Sequence, residues 1–293
     1  MRIIRFAEEN SPRLAAVTDD EAAFPLPDGD FIGLIRRAEA SGCTPAELVR
    51  REIAGAERLS SDWRQLPLLA PLEAPEVWAA GVTYLRSKEA RNFESKDSRN
   101  SITCYDKVYD AERPELFVKS TAARTVGPGG EVSLRSDSNW QVPEPELALV
   151  LDHDGRILGY TIGNDMSCRD IEGENPLYLP QAKIWRNSCS IGPAVRLAET
   201  VENPYDLTIR CRIIRGGSAV FDESANTGQL KRKLEELAAY LKRDNVLFEG
   251  TVLLTGTCIV PPDDFTLAPG DVIEIDITGI GTLVNPVGPA SFS

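Results

Sequence analysis

The stretch from residue 141 to residue 193 limits the possible folds of this chain more than any other. It opens with Glu144-Pro145-Glu146, continues through the apolar run Leu147-Ala-Leu-Val-Leu151, and reaches Asp152-His153-Asp154-Gly155. A second apolar run then ends in Gly163-Asn164-Asp165. Asp-Gly between two such runs predicts a hairpin turn. Residues two apart share one face of a strand, so Glu144 and Glu146 project together. The return strand, expected over Ile157–Ile162, brings Asp165 back beside them. Three carboxylates that close raise one another's pKa unless a cation compensates. Alone, Glu-Pro-Glu would read as a solvated acidic edge with Asp165 capping the next turn. The hairpin, and Lys183 after a short irregular loop, turn the reading towards a site for a hard divalent cation, Mg2+ or Mn2+. A 2-oxo acid could complete its shell through keto and carboxylate oxygens.

The chain contains one histidine, His153, and it falls on the predicted turn. A solvated turn histidine is a poor source for an imidazole base, a Ser-His pair or a zinc ligand. Proton transfer then falls to Lys, Glu, Asp, Tyr or metal-bound water. A net charge of −13 argues against a nucleic-acid partner, which needs a basic face. A local Lys/Arg cluster with a metal can still receive a small anion. No apolar run is long enough for a membrane span, and the start MRIIRFAEEN has no signal-peptide hydrophobic region. Six scattered cysteines without a CxxC pair read as reduced, mostly buried thiols, with Cys168 nearest the proposed site. These features predict a cytoplasmic protein with no membrane partner.

The expected fold class is α+β, mainly β. Residues 1–72 read as a small N-terminal α+β module, with strands Ile3–Phe6 and Leu14–Val17 around a turn at residues 9–12. A helix is expected over Phe31–Ala40, and Thr44-Pro45-Ala46-Glu47 is a capping box that starts another. The proline-broken run Leu66–Leu72 reads as a linker. Residues 73–293 form the catalytic domain of this reading. Strands are expected at Val77–Gly81, Phe117–Lys119, Val132–Arg135, Glu146–Leu151, Val195–Leu197, Leu207–Ile214, Thr251–Leu254 and Val272–Thr278. Two helices interrupt them: a charged one over residues 84–98, and one over 227–243 with Leu230, Leu234, Leu237 and Leu241 on one face.

Residues 144–193 resemble the core motif of the fumarylacetoacetate hydrolase superfamily. The resemblance rests on Glu144-x-Glu146, Tyr160-Thr-Ile-Gly-Asn-Asp165, Ser167-x-Arg169-Asp170 and Pro180-Gln-Ala-Lys183. Leu254-Thr-Gly-Thr257, Pro269-Gly-Asp-Val272 and Gly279-Ile-Gly-Thr-Leu-Val-Asn285 are similar to its C-terminal signature. The likeness implies a twisted mixed β-sheet roll, a metal on Glu144, Glu146 and Asp165, and a homodimer or homotetramer.

Two departures from the superfamily's hydrolases resemble its 2-keto-3-deoxy-pentonate dehydratase branch. Gly81-Val-Thr-Tyr-Leu-Arg-Ser87 holds no histidine, and Thr257 runs into Cys258-Ile-Val-Pro-Pro262 rather than a glycine-rich turn. The implied substrate is a small anionic 2-oxo acid. A cation on its keto oxygen makes a C3 proton removable, and loss of the C4 hydroxyl leads to a 2,5-dioxo acid. Lys183 becomes the expected base, its pKa lowered by desolvation and the cation and raised by the carboxylates. It could instead stay charged, pairing Glu146 or the substrate carboxylate. Glu115 matches a position the branch uses near substrate and is the expected acid at C4. Arg86, Ser87, Lys119 and Thr257 are the expected substrate contacts. Arg86 could instead pair with Glu89 or Glu94 on a solvated helix. The alternative enzyme is a metal-dependent C–C hydrolase of an acylpyruvate, and the alternative class is a binding protein without turnover.

Overall fold

A computed structural model describes residues 1–9, 11–94 and 103–290. Asn10 of the expected first turn and residues 95–98 of the expected charged helix lie outside the described residues.

The first elements are β1 (Arg2–Glu8), β2 (Ser11–Val17), β3 (Ala23–Leu26), α1 (Phe31–Ala40) and α2 (Pro45–Ile53). β4 (Glu76–Gly81) leads into α3 (Leu85–Glu94), followed by α4 (Cys104–Asp110) and β5 (Glu115–Thr121). Short strands β6 (Thr125–Val126), β7 (Val132–Ser133) and β8 (Gln141–Val142) precede the hairpin of β9 (Pro145–Leu151) and β10 (Ile157–Asp165). Next come β11 (Ser167–Cys168), α5 (Arg169–Glu174), α6 (Leu179–Lys183) and β12 (Cys189–Leu197). The rest is β13 (Thr208–Arg215), β14 (Ser218–Asn226), α7 (Leu234–Lys242), β15 (Thr251–Thr257), β16 (Val272–Ile277) and β17 (Gly281–Gly288). The protein is mainly β, as expected, with mixed sheets.

Ten strands make one sheet in the order β3-β2-β1-β12-β10-β9-β15-β4-β5, with β6 beside β12. Five more make a second, β14-β13-β16-β17-β7, and β11 pairs with β8. β9 is antiparallel to both β10 and β15, while β15 is parallel to β4. The run Leu147–Leu151 shows no polar alternation because both faces of β9 are covered. Leu147, Leu149 and Leu151 pack into a core shared with Ile209, Ile213 and Ile275 of the second sheet and Leu237 of α7. Ala148 and Val150 point the other way, to Phe31 and Leu34 of α1 and Val49 of α2. Burying each such large side chain contributes about 1.5–3 kcal/mol, so β9 is held from both sides.

Residues 1–72 enter this same arrangement. β1 pairs antiparallel with β12, and β2 and β3 extend the edge. α1 and α2 are capped as their sequences predict: Asp30 accepts from the Gly33 N–H at 2.8 Å, and Thr44 with Glu47 forms the capping box.

Several elements differ from expectation: β14, β17, α4, α5 and α6 are unexpected, and the strand expected over Val132–Arg135 stops at Ser133. β10 runs on to Asp165 and β12 begins at Cys189, because the two pair with each other along that extension. The helix expected over 227–243 shortens to α7. The Asn226 side chain closes a 3-10 turn over Thr227–Gln229, and the Lys231 N–H donates to the Thr83 carbonyl at 3.1 Å. The Arg232 guanidinium meanwhile donates to the Val108, Ala111 and Glu112 carbonyls at 3.0, 2.6 and 3.0 Å. These contacts keep residues 230–232 out of the helix, so Leu230 packs from a loop.

Candidate active site

The β9–β10 register assembles the acidic set. Gly163 lies opposite Glu146 and Asn164 opposite Pro145, which puts Asp165 across from Glu144. The Asp165 N–H donates to the Glu144 carbonyl at 3.0 Å. Cross-strand neighbours on one face approach closely. Here, oxygens of Glu144, Glu146 and Asp165 lie within 4.8 Å of one another, and all three residues are buried. Glu144 stands just before β9 rather than in it. Its N–H donates to the Asn164 side chain at 3.3 Å.

Glu146 accepts from the Gly256 N–H. That glycine has φ +99°, and a Cβ there would lie 1.9 Å from the Thr83 hydroxyl oxygen. Only glycine admits both the conformation and the approach. Thr83 is itself fixed, donating to the Thr255 carbonyl at 2.7 Å.

Four buried cations surround the set. The Lys183 ammonium donates to Glu144 Oε2 and Ser167 Oγ, both at 2.6 Å, and lies 3.2 Å from Asp165 Oδ2. Lys119 Nζ lies 2.7 Å from Asp165 Oδ1, donates to the Met166 carbonyl at 2.7 Å and also reaches the Lys183 carbonyl. Arg169 Nη2 donates to Glu144 Oε1 at 3.1 Å and its Nη1 pairs with Glu94. Arg91 pairs with Glu172.

Electrostatics sort these groups by their neighbours. Burial alone would push Glu144 up, but Lys183 and Arg169 more than offset it and hold its pKa down at about 2. Glu146 is pushed well up by burial and by Asp165 and Glu144. Among the described residues no ion pair is formed by it. Burial raises Glu172 to about 7, against the pull of Arg91 and Lys183. For Lys183, burial works against the charge, yet Asp165, Glu144 and Glu172 reverse it and hold the ammonium above the ordinary lysine range. Burial also raises the Cys168 thiol to about 12, so it is not a thiolate nucleophile.

The donor set fits a divalent cation. Six carboxylates converge (Glu94, Glu115, Glu144, Glu146, Asp165, Glu172) against the four cations Arg91, Lys119, Arg169 and Lys183. Carboxyl groups outnumber the cations by two, and Glu146, pushed well up by burial and its acidic neighbours, is a ligand without a counter-ion among the described residues. All three converging ligands offer oxygen, which suits Mg2+.

A narrow pocket opens onto the set. Gly81, Val82, Ser87, Arg91, Phe117 and Thr257 line it together with the acidic residues and Lys183. Two of the expected contacts, Ser87 and Thr257, are therefore on its wall. Their hydroxyls already serve backbone groups: Ser87 donates to the Tyr84 carbonyl at 2.8 Å, and Thr257 to Ile259 or Pro145 at 2.9 and 3.1 Å. Glu115 sits opposite Gly81 across β4 and β5, with a buried Oε2 that has no hydrogen-bond partner among the described residues. A Cβ on Gly81 would fall 2.0 Å from that oxygen, so the glycine makes room for the carboxylate.

The other two expected contacts, Lys119 and Arg86, do not line the pocket. Lys119 is buried, donates to two backbone carbonyls and forms an ion pair with Asp165, so it supports that carboxylate. Arg86 is exposed. Glu94, weighed as its partner on a solvated helix, is buried against Arg169. Sequence reasoning missed Arg91, Glu94 and Glu172 as parts of the site. The signal for Arg91 and Glu94 was the spacing Ser87, Arg91, Glu94, which falls on one face of a helix.

Residues 76–288 match the family model described as fumarylacetoacetate (FAA) hydrolase C-terminal. The chain is 40% identical over 296 residues to a 2-dehydro-3-deoxy-D-arabinonate dehydratase of Saccharolobus solfataricus, covering 98% of this chain and 96% of the relative. It is 51% identical over 217 residues to a probable 2-keto-3-deoxyxylonate dehydratase of Haloferax volcanii, covering 74% of this chain and 73% of the relative. A solved structure of 2-keto-3-deoxy-D-arabinonate dehydratase complexed with magnesium and 2,5-dioxopentanoate superposes with a TM-score of 0.85. It is 38% identical and covers 99% of both chains.

Proposed function

This chain belongs to the fumarylacetoacetate hydrolase family, and we propose that it is a Mg2+-dependent dehydratase converting a 2-keto-3-deoxy-pentonate to 2,5-dioxopentanoate. The observation that carries the reading is the buried set Glu144, Glu146 and Asp165, with Lys183 against it, in a chain 40% identical along nearly its whole length to a dehydratase of such an acid.

Glu144, Glu146 and Asp165 would hold the cation. When bound, it supplies Lewis acidity to the 2-keto group, which makes the C3 hydrogens acidic. Lys183 is placed to take the C3 proton. Two of the three carboxylates that keep Lys183 charged, Glu144 and Asp165, would also hold the cation, whose charge would weaken their hold on the ammonium. Glu115, unpaired beside Gly81, is placed to protonate the C4 hydroxyl as the C4–O bond breaks, releasing water. Loss of a C5 proton and gain of a proton at C3 then shift the double bond to C4–C5, and the resulting enol takes a proton at C4 and releases its hydroxyl proton to become the C5 aldehyde. Arg91 on the pocket wall offers a guanidinium to the substrate carboxylate. We assign the enzyme to the cytoplasm, supported by six free cysteines. We also assign it to a homo-oligomer, supported by the exposed apolar residues Leu177, Val246 and Phe248.

The test is a proton NMR time course on 2-keto-3-deoxy-pentonate diastereomers with Mg2+, against an EDTA control. The expected result is 2,5-dioxopentanoate with Mg2+ and none with EDTA. Release of pyruvate from an acylpyruvate, with no turnover of any pentonate, would replace this reading by C–C hydrolysis.

A further inference from the structure

Helix α3 turns Ser87, Arg91 and Glu94 inward, and all three are buried. Two of them lead to the same ligand by separate routes. Glu94 pairs with Arg169, whose other terminal nitrogen donates to Glu144 Oε1 at 3.1 Å. Arg91 pairs with Glu172, which lies 3.7 Å from Lys183 Nζ, and Lys183 donates to Glu144 Oε2 at 2.6 Å. Each oxygen of Glu144 therefore meets one cation, and each cation meets a carboxylate that is anchored on α3 or paired with it.

We propose that Glu94 is a positioning residue for the cation site: through Arg169 it sets the charge and orientation that Glu144 offers, so that docking of α3 and binding of the cation favour each other. The inference rests on the cation reading above. Without Glu94, the Arg169 guanidinium is left with Glu144 as its remaining carboxylate partner and competes with the metal for Oε1. Groups beyond the ligands commonly change metal affinity by about 10–100-fold when removed. The coupling is reciprocal, because any effect of helix docking on affinity is matched by an equal effect of the metal on docking.

The experiment has two arms on the full-length, metal-free protein. Mn2+ binding to the native protein and to Glu94→Gln is measured by electron paramagnetic resonance, with thermal melts to confirm folding. Hydrogen exchange of the α3 amides is measured in the native protein with and without Mg2+. The proposal requires Mn2+ affinity at least tenfold weaker in Glu94→Gln, and slower α3 exchange when Mg2+ is present. A folded Glu94→Gln that binds Mn2+ within twofold of native overturns it, and so does α3 exchange indifferent to Mg2+. If Glu94→Gln fails to fold, the exchange arm decides. A native protein that binds no Mn2+ refutes the cation site itself, a different failure from loss of the relay alone.

Discussion

Lys119 and Lys183 grip Asp165 from its two sides, one ammonium 2.7 Å from Oδ1 and the other 3.2 Å from Oδ2. A side-chain hydrogen bond ties the two lysines together, since the Lys119 ammonium also donates to the Lys183 carbonyl. Removing one partner of a buried ion pair costs about 3–5 kcal/mol, because the other charge is left stranded. Lys119→Met should lower stability by that order, read as a fall in the urea midpoint with an unchanged slope. A variant as stable as native would show that the pair contributes nothing.

Glu146 predicts the opposite sign. Its carboxylate is buried beside Glu144 and Asp165 without an ion-pair partner among the described residues. Glu146→Gln keeps an acceptor for the Gly256 N–H and removes an ionisable group whose charged form burial, Asp165 and Glu144 disfavour. The metal-free variant should melt at or above the native temperature, while Mg2+ no longer raises its melting point and turnover falls at least about a hundredfold. A variant whose melting point still rises with Mg2+ would take Glu146 out of the cation site.

Gly256→Ala should destabilise by about 2–4 kcal/mol, from the left-handed backbone and the collision with Thr83. Adding Thr83→Ala removes the collision and leaves the backbone cost. The double variant should therefore recover part of the loss and not all of it. Full recovery in chemical denaturation would mean that the backbone conformation carries no strain.

The lone histidine offers a pH probe. His153 is exposed and paired with Glu249 and Asp154, whose carboxylates raise its pKa above the ordinary value of 6.5. A raised folded-state pKa adds stability that is fully present below the unfolded value, about 6.5, and is lost as pH rises through the folded midpoint. The single imidazole resonance should titrate above 6.5 and return towards it in Glu249→Gln. An unshifted midpoint in the native protein would contradict the pairing.

The acidic set was legible in the sequence because a strand has a period of two and the hairpin turn fixes its register. Those two facts place Glu144, Glu146 and Asp165 before any coordinates exist. The supporting charges were not legible. Residues 84–94 look like a solvated helix, because amphipathic reading searches for apolar stripes and α3 buries Arg91 and Glu94 instead. Lys119 read as a substrate contact because a strand lysine near an acidic site invites that role. Only the positions of Met166 and Lys183 show that backbone carbonyls already claim it. The shortened α7 has a similar cause, since the contacts that stop it come from Thr83 and residues 108–112, far off in the chain.

Gly81 and Glu115 share one volume: the space that a methyl group would fill at residue 81 is occupied by the carboxylate of residue 115. A side chain at 81 consequently requires the acid at 115 to move or shorten, while position 115 can shrink beside the glycine. A lineage that gains any side chain at 81 must shorten or withdraw the acid at 115, and one that keeps the acid inherits the glycine with it. A pairwise substitution library at these two sites would fill one triangle of its matrix and leave the other empty.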